Sequence, residues 1–394
     1  MSVPLRAVDI VADPARADAW RRVRKLLVVR LDNLGDVLMT TPAIGALRAG
    51  LPDAQITLLA SPSGAAAVPF LVDVDGAIVF AAPWVKGDGE AVGAGLGGSE
   101  SELVERLRSA RFDAAVIFTT CTQSALPAAL ACRMAGIALR LAHCRENPYG
   151  LLSDWASERD VVADGMRHEV ERQLALVASV GFTAADRRLR FAVPSAARSA
   201  VAARLARAGV DRGRPLVVVH PGASAESRRY PAARFGIAAD RIARATDATI
   251  VLSGAAEERP LIDEMRSAMT APAISLAGQL DLGELAALVE AADVLVANNS
   301  GPAHLAAALG TPVVDLYALT NPQHTPWRVP SRVLFHDVPC RYCYKSICPQ
   351  GHHQCLRGVS VEQVIDASLD LLAGRERRPS PLPRVDRPAR RTIA

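Results

Sequence analysis

The chain has 394 residues, half of them hydrophobic but only 4% aromatic, and a formal net charge of +4. That length exceeds what one core usually serves and predicts about two domains, while a composition rich in Ala, Val, Leu and Gly suits helix-on-sheet α/β layers better than an all-β sandwich. Residues 375–394 carry seven Arg against Glu376 and Asp386, which leaves the rest of the chain near neutrality and without the basic face of a nucleic-acid binder.

The elements follow in chain order. Residues 1–24 form an N-terminal extension whose Arg6, Asp9, Asp13, Arg16 and Asp18 interrupt any apolar run, so no signal peptide is read there and a cytoplasmic chain is expected. Residues 25–30 are a short apolar strand, closed by a polar loop at 31–36 and followed by a helical pattern through Val37, Ile44 and Leu47. Strands at 55–59 and 76–80, a helix at 100–110 and a strand at 113–118 continue the alternation. The glycine-rich segment 87–98 reads either as a flexible connection or as an acceptor-side lid. Residues 114–132 are uncharged, but Thr119, Thr120, Thr122, Gln123, Ser124 and Pro127 interrupt them, so a strand, a loop and a helix are expected rather than a membrane span.

A helical stretch at 195–208 and a turn at 211–214 separate the halves. The same grammar restarts with a strand at 215–220, a helix at 232–244 and a strand at 248–252. Together these predict two Rossmann-like, doubly wound parallel-sheet domains, at 25–205 and 206–374, facing a central cleft. Residues 375–394 are read as a disordered basic tail, solvated or touching anionic lipid headgroups.

Ligands of open α/β sheets bind at the carboxyl ends of strands, which directs attention to three loops. In the first, Asn33, Gly35 and Asp36 stand at the threshold of a helix. Asp36 is there either as a helix cap or as a general base for an attacking hydroxyl. In the second, the small residues of His220-Pro-Gly-Ala-Ser224 precede Arg228 and Arg229, an arrangement suited to phosphate oxygens, with a solvated arginine pair as the alternative. The third, Asn299 to His304, turns a strand into a helix near Ser300. Its amides at Ser300, Gly301 and Ala303 suit a diphosphate, and His304 is either a ligand contact or a structural histidine. No GxGxxG follows either opening strand, which removes the main support for hydride transfer.

The three loops together, with Gly35-Asp-Val, Thr41-Pro-Ala, His220-Pro-Gly-Ala-Ser, Tyr230-Pro and Asn299-Ser-Gly-Pro-Ala-His, resemble glycosyltransferase family 9, the lipopolysaccharide heptosyltransferase-like proteins. The resemblance covers roughly residues 25–372. It implies a GT-B architecture with the acceptor on the first half and a nucleotide-sugar on the second. It also implies inversion at the anomeric carbon, with no metal or other cofactor required for transfer. The family's Gly-Asp base falls on Asp36, and its phosphate-binding basic residue, usually Lys, falls on Arg228. The family's Asp before Ser-Gly or Thr-Gly is Asn299 in this chain, a departure beside the donor. The implied partners are a nucleotide-sugar donor and a lipid-linked glycan acceptor, with peripheral contact at the inner membrane allowed.

Cys340, Cys343, Cys348 and Cys355, with His352 and His353 among them, supply enough soft ligands for zinc or an iron-sulfur cluster. Their spacing fits no standard finger, so reduced packing thiols are the expectation. Two other functions remain open at this stage: a nucleotide-sugar epimerase on the same fold, and a catalytically silent nucleotide-sugar-binding module.

Overall fold

The computed structural model describes residues 14–85, 97–163, 165–211 and 213–374. The start of the N-terminal extension, nearly all of the glycine-rich segment and the basic tail lie outside the described residues.

The first half runs α1 (Pro14–Arg21), β1 (Lys25–Arg30), α2 (Leu34–Gly50), β2 (Gln55–Ala60), α3 (Pro62–Ala65), β3 (Gly76–Val79), α4 (Gly98–Ala110) and β4 (Ala114–Ile117). It continues with α5 (Leu126–Met134), β5 (Leu139–Cys144), β6 (Asp154–Ser157), α6 (Glu169–Ala178) and α7 (Ser195–Arg207). The second half runs β7 (Leu216–His220), α8 (Ala232–Thr246), β8 (Thr249–Leu252), α9 (Arg259–Ser267), β9 (Ala273–Ser275), α10 (Leu282–Ala291) and β10 (Val294–Asn298). It closes with α11 (Gly301–Leu309), β11 (Val313–Leu316), β12 (Ser331–Leu334), α12 (Gln354–Arg357) and α13 (Val361–Ala373).

Each half holds one six-stranded sheet whose pairings are all parallel, in the orders β3-β2-β1-β4-β5-β6 and β12-β11-β10-β7-β8-β9. Both orders reverse between the first and fourth strands of their half, which is the doubly wound pattern expected from the sequence. The central strands have no polar face: Leu26 to Val29 and Val217 to Val219 are buried on both sides, as parallel strands covered by helices require. Burying each such Leu or Val contributes about 1.5–3 kcal/mol. The uncharged window at 114–132 resolves into β4, a loop and α5. Among the described residues no helix is long and apolar enough to cross a membrane.

Helix α2 contains Pro42, which has no N–H to offer the Leu38 carbonyl one turn back. The Thr41 hydroxyl donates to that carbonyl instead at 2.6 Å, and accepts from the Arg190 amide at 2.9 Å. The Thr-Pro step therefore keeps the helix intact while tying it to the chain leaving α6. Helix α7 packs on α10 of the second half, with Arg198 and Arg204 paired to Glu290 and Glu284.

Candidate active site

Because the strand order of both sheets reverses at their centres, each opens a crevice beyond the carboxyl ends of two neighbouring strands. In the first half the loops after β1 and β4 border it; in the second, those after β7 and β10. The two crevices face each other across one cleft. Asn33, Gly35 and Asp36 line it from the first half, and Ser224, Arg228, Asn299, Ser300, Gly301 and His304 line it from the second.

Asp36 does not cap its helix. Asn33 occupies the cap, without a side-chain bond, and α2 starts at Leu34, so Asp36 sits in the first turn. Its Oδ1 accepts from Nη2 of Arg30 at 3.2 Å. Arg30 ends β1 with its side chain fully buried and also holds Asp32 through Nε at 2.9 Å and Glu169 through Nη1 at 2.9 Å. One cation thus serves three carboxylates. Burial pushes the Asp36 carboxyl up; the Arg30 guanidinium opposes that, Glu169 adds to it, and Arg228 across the cleft opposes it again. Burial pushes Asp32 up to about 6. For Glu169, burial alone would raise the carboxyl, but Arg30 and Arg172 hold it at about 2.

Opposite stands the cradle. Arg228 ends a one-turn helix over Glu226–Arg228, and its guanidinium donates no hydrogen bond and closes no ion pair among the described residues. The neighbouring Arg229 is exposed and donates from Nε to the Ala223 carbonyl at 2.7 Å, so the pair divides its work. Ser300 caps α11 without bonding its first turn, and its hydroxyl donates to the Gly222 and Asn298 carbonyls at 3.3 and 3.2 Å. The Gly301 amide opens the helix with no intrahelical acceptor, and Pro302 has no N–H at all.

Two expected donor contacts need correction. Ala303 is fully buried, and its amide donates to the Ser300 carbonyl at 3.0 Å, so it offers nothing to the cleft. Asn299 borders the cleft, but its Nδ2 donates inward, to Asp315 Oδ2 at 3.1 Å and to the His324 carbonyl at 2.8 Å. Asp315 is fully buried and burial pushes it up to about 7. The amide supplies the donor that this carboxyl needs, which a carboxylate at position 299 would not.

His304 joins the halves. A Cβ on Gly35 would stand 2.6 Å from its ring carbon, so only glycine lets α2 approach α11 so closely. Burial holds this imidazole down at about 3, and its Nδ1 has no partner among the described residues.

Several site residues carried no usable signal in the sequence. His324 lies between two prolines in a segment with no periodic pattern, yet it lines the cleft, and burial holds it at about 3. That segment also bridges the halves: the Gln323 carbonyl accepts from the Glu169 amide at 3.0 Å, and the Thr325 carbonyl lies 2.8 Å from His168 Nε2. Glu258 lines the cleft from the start of α9 and lies 3.6 Å from His220 Nε2. Its carboxylate would overlap a Cβ on Gly222 as it now stands. Arg30 did leave a trace, as a cation closing an otherwise apolar strand.

The cysteine segment backs the cradle. The Ser227 amide donates to the Ser346 carbonyl at 3.0 Å and its hydroxyl to the Lys345 carbonyl at 2.8 Å. All seven cysteines are free. Cys340 Sγ lies 3.6 Å from His352 Nε2, but among the described residues no group of three or more His, Cys, Asp or Glu is arranged to hold a metal.

A sequence model of glycosyltransferase family 9 (heptosyltransferase) matches residues 101–353. The chain is 27% identical over 368 residues to lipopolysaccharide heptosyltransferase 2 of Salmonella typhimurium, covering 89% of this chain and 99% of that one. It is 28% identical over 166 residues to lipooligosaccharide heptosyltransferase 2 of Campylobacter jejuni, where the match takes in 41% of this chain and about half, 52%, of the relative. The solved structure of Escherichia coli ADP-heptose LPS heptosyltransferase II superposes with a TM-score of 0.67 at 24% identity, covering 89% of this chain and 99% of that one. That likeness speaks for the fold.

Proposed function

The chain belongs to glycosyltransferase family 9, and from that premise we propose that it moves a heptose or related sugar, with inversion, from a nucleoside diphosphate donor to a hydroxyl of a lipid-linked lipopolysaccharide-type acceptor. The acceptor enters from the first half and the donor lies on the second. As the acceptor oxygen attacks the anomeric carbon, the Asp36 carboxylate takes its proton and the bond from that carbon to the diphosphate oxygen breaks. The diphosphate leaves with the electron pair. Arg228 and the Gly301 amide, at the positive end of the α11 dipole, stabilise the charge that develops on it. Ser224, Ser300 and His304 border the same donor space. No metal is needed for this scheme, since fixed donors meet the leaving group. The work is done at the cytoplasmic face of the inner membrane, with peripheral contact.

The observation that carries this reading is that Asp36 and Arg228, from opposite halves, line one cleft. Asp36→Ala is expected to lower sugar transfer by about 10²–10⁴-fold with the melting temperature retained. The assay supplies ADP-, GDP- and UDP-sugars with and without acceptor. Near wild-type turnover in the folded variant would remove Asp36 from the role, and conversion of the free donor without acceptor would favour an epimerase.

A further inference from the structure

We propose that Glu169 is a positioning residue of this transfer reaction, acting through Arg30 on where the Asp36 carboxylate stands and how firmly it is held. The inference rests on the reading of Asp36 as the base.

The three contacts of Arg30 are unequal. Glu169 and Asp32 lie at 2.9 Å and Asp36 at 3.2 Å, so the base has the loosest hold on the shared guanidinium. The Arg30 and Glu169 side chains are fully buried, and Asp32 and Asp36 are only slightly exposed. Water therefore screens the competition poorly. Glu169 itself is fixed from several sides. It opens α6 and its Oε1 also accepts from Gln173 at 2.5 Å. Arg172 stands 3.8 Å away and is engaged by Glu158, whose Oε2 accepts from its Nε at 2.5 Å. The Glu169 amide donates to the Gln323 carbonyl, so the residue is registered against the second half as well.

The charged groups facing Asp36 are Arg30 from β1, Asp32 from the adjoining loop, Glu169 from α6 and Arg228 from the second half. His304 and His324 face the same space but are uncharged near neutral pH, since burial holds both at about 3. A carboxylate fully paired with Arg30 would be a poor proton acceptor, and one without it would stay protonated in so buried a place. Glu169 keeps the guanidinium from closing on Asp36 and so leaves the base between these limits.

The test is the pH dependence of kcat for wild type, Glu169→Gln and Asp32→Asn, each checked for folding by its melting curve. Removing a competing negative charge lets Asp36 stay ionised to lower pH. The acid limb is therefore expected to move down by about 0.5–1 pH unit, with the plateau reduced roughly tenfold and the donor KM little changed. Glu169→Asp should return the limb toward its wild-type position, which a purely structural role would not require. An acid limb unmoved in folded Glu169→Gln overturns the proposal. If that variant does not fold, Asp32→Asn carries the test with the same expected direction, and an unmoved limb there overturns it. Failure of the base reading looks different: Asp36→Ala would then retain turnover, whereas loss in Asp36→Ala with unmoved limbs rejects only the role of Glu169.

Discussion

The two walls of the cleft solve opposite problems. On the first-half wall the carboxylates draw on cations from within: Arg30 binds three of them, and Arg172 joins Glu158 to the same network. On the second-half wall the cation is left open, for Arg228 has no hydrogen-bond or ion-pair partner among the described residues, and the start of α11 lacks a side-chain cap. A network closed on itself sets the proton affinity of one member by the competition of the others. An open cation beside the free Gly301 amide is instead prepared for an anion that arrives from outside. The contrast separates a wall that tunes a base from a wall that receives a leaving group.

That contrast can be broken by removing the cation from each wall in turn. Arg30→Met should cost about 3–5 kcal/mol of stability, because three carboxylates lose their shared partner in a buried place; a denaturant midpoint close to wild type would show that the network is not closed as described. Arg228→Ala should leave stability within about 0.5 kcal/mol yet lower kcat by about 10²–10³-fold. A large drop in melting temperature with normal turnover would reverse the assignment of the walls. The smallest expected effect sharpens the inner edge of the cradle. Asn299→Asp, which installs the family's residue, removes the donor to Asp315 and should destabilise the fold by about 1–3 kcal/mol. Because Asp315 is held protonated up to about 7 in the folded chain, against an ordinary carboxyl value well below that in the unfolded one, stability falls as pH rises toward 7. The variant should steepen that fall, since two carboxylates would then compete for one proton. Urea midpoints at pH 5 and 8 measure it, and equal losses at both would reject the pairing.

Local patterns carried much of this. The β-branched strands, each followed by a Gly-bearing loop and a helix, were enough for two parallel sheets, and the loops at Asp36, Arg228 and Ser300 were marked by residue type and place. Asn299 shows where such reading stops. It borders the cleft, but whether its amide faces the cleft or the interior depends on Asp315, sixteen residues on, in the neighbouring strand β11. Ala303 fails for a related reason: an amide in the first helical turn is free or engaged according to where the helix begins.

By itself the amino-acid sequence determined the alternation of strands and helices, the doubly wound class, and which loops bear acids, bases and small residues, because these follow from local periodicity and from backbone freedom within a few residues. Only the tertiary structure decided that Arg30 is shared by Asp32, Asp36 and Glu169, that Gly35 makes room for His304, and that His324 lines the cleft. Those relations join residues as much as 269 positions apart. The sharing of Arg30 depends on α6 packing against α2 within the first half, and the other two on the crevices being turned toward each other, which is a property of how the halves pack and of no single segment.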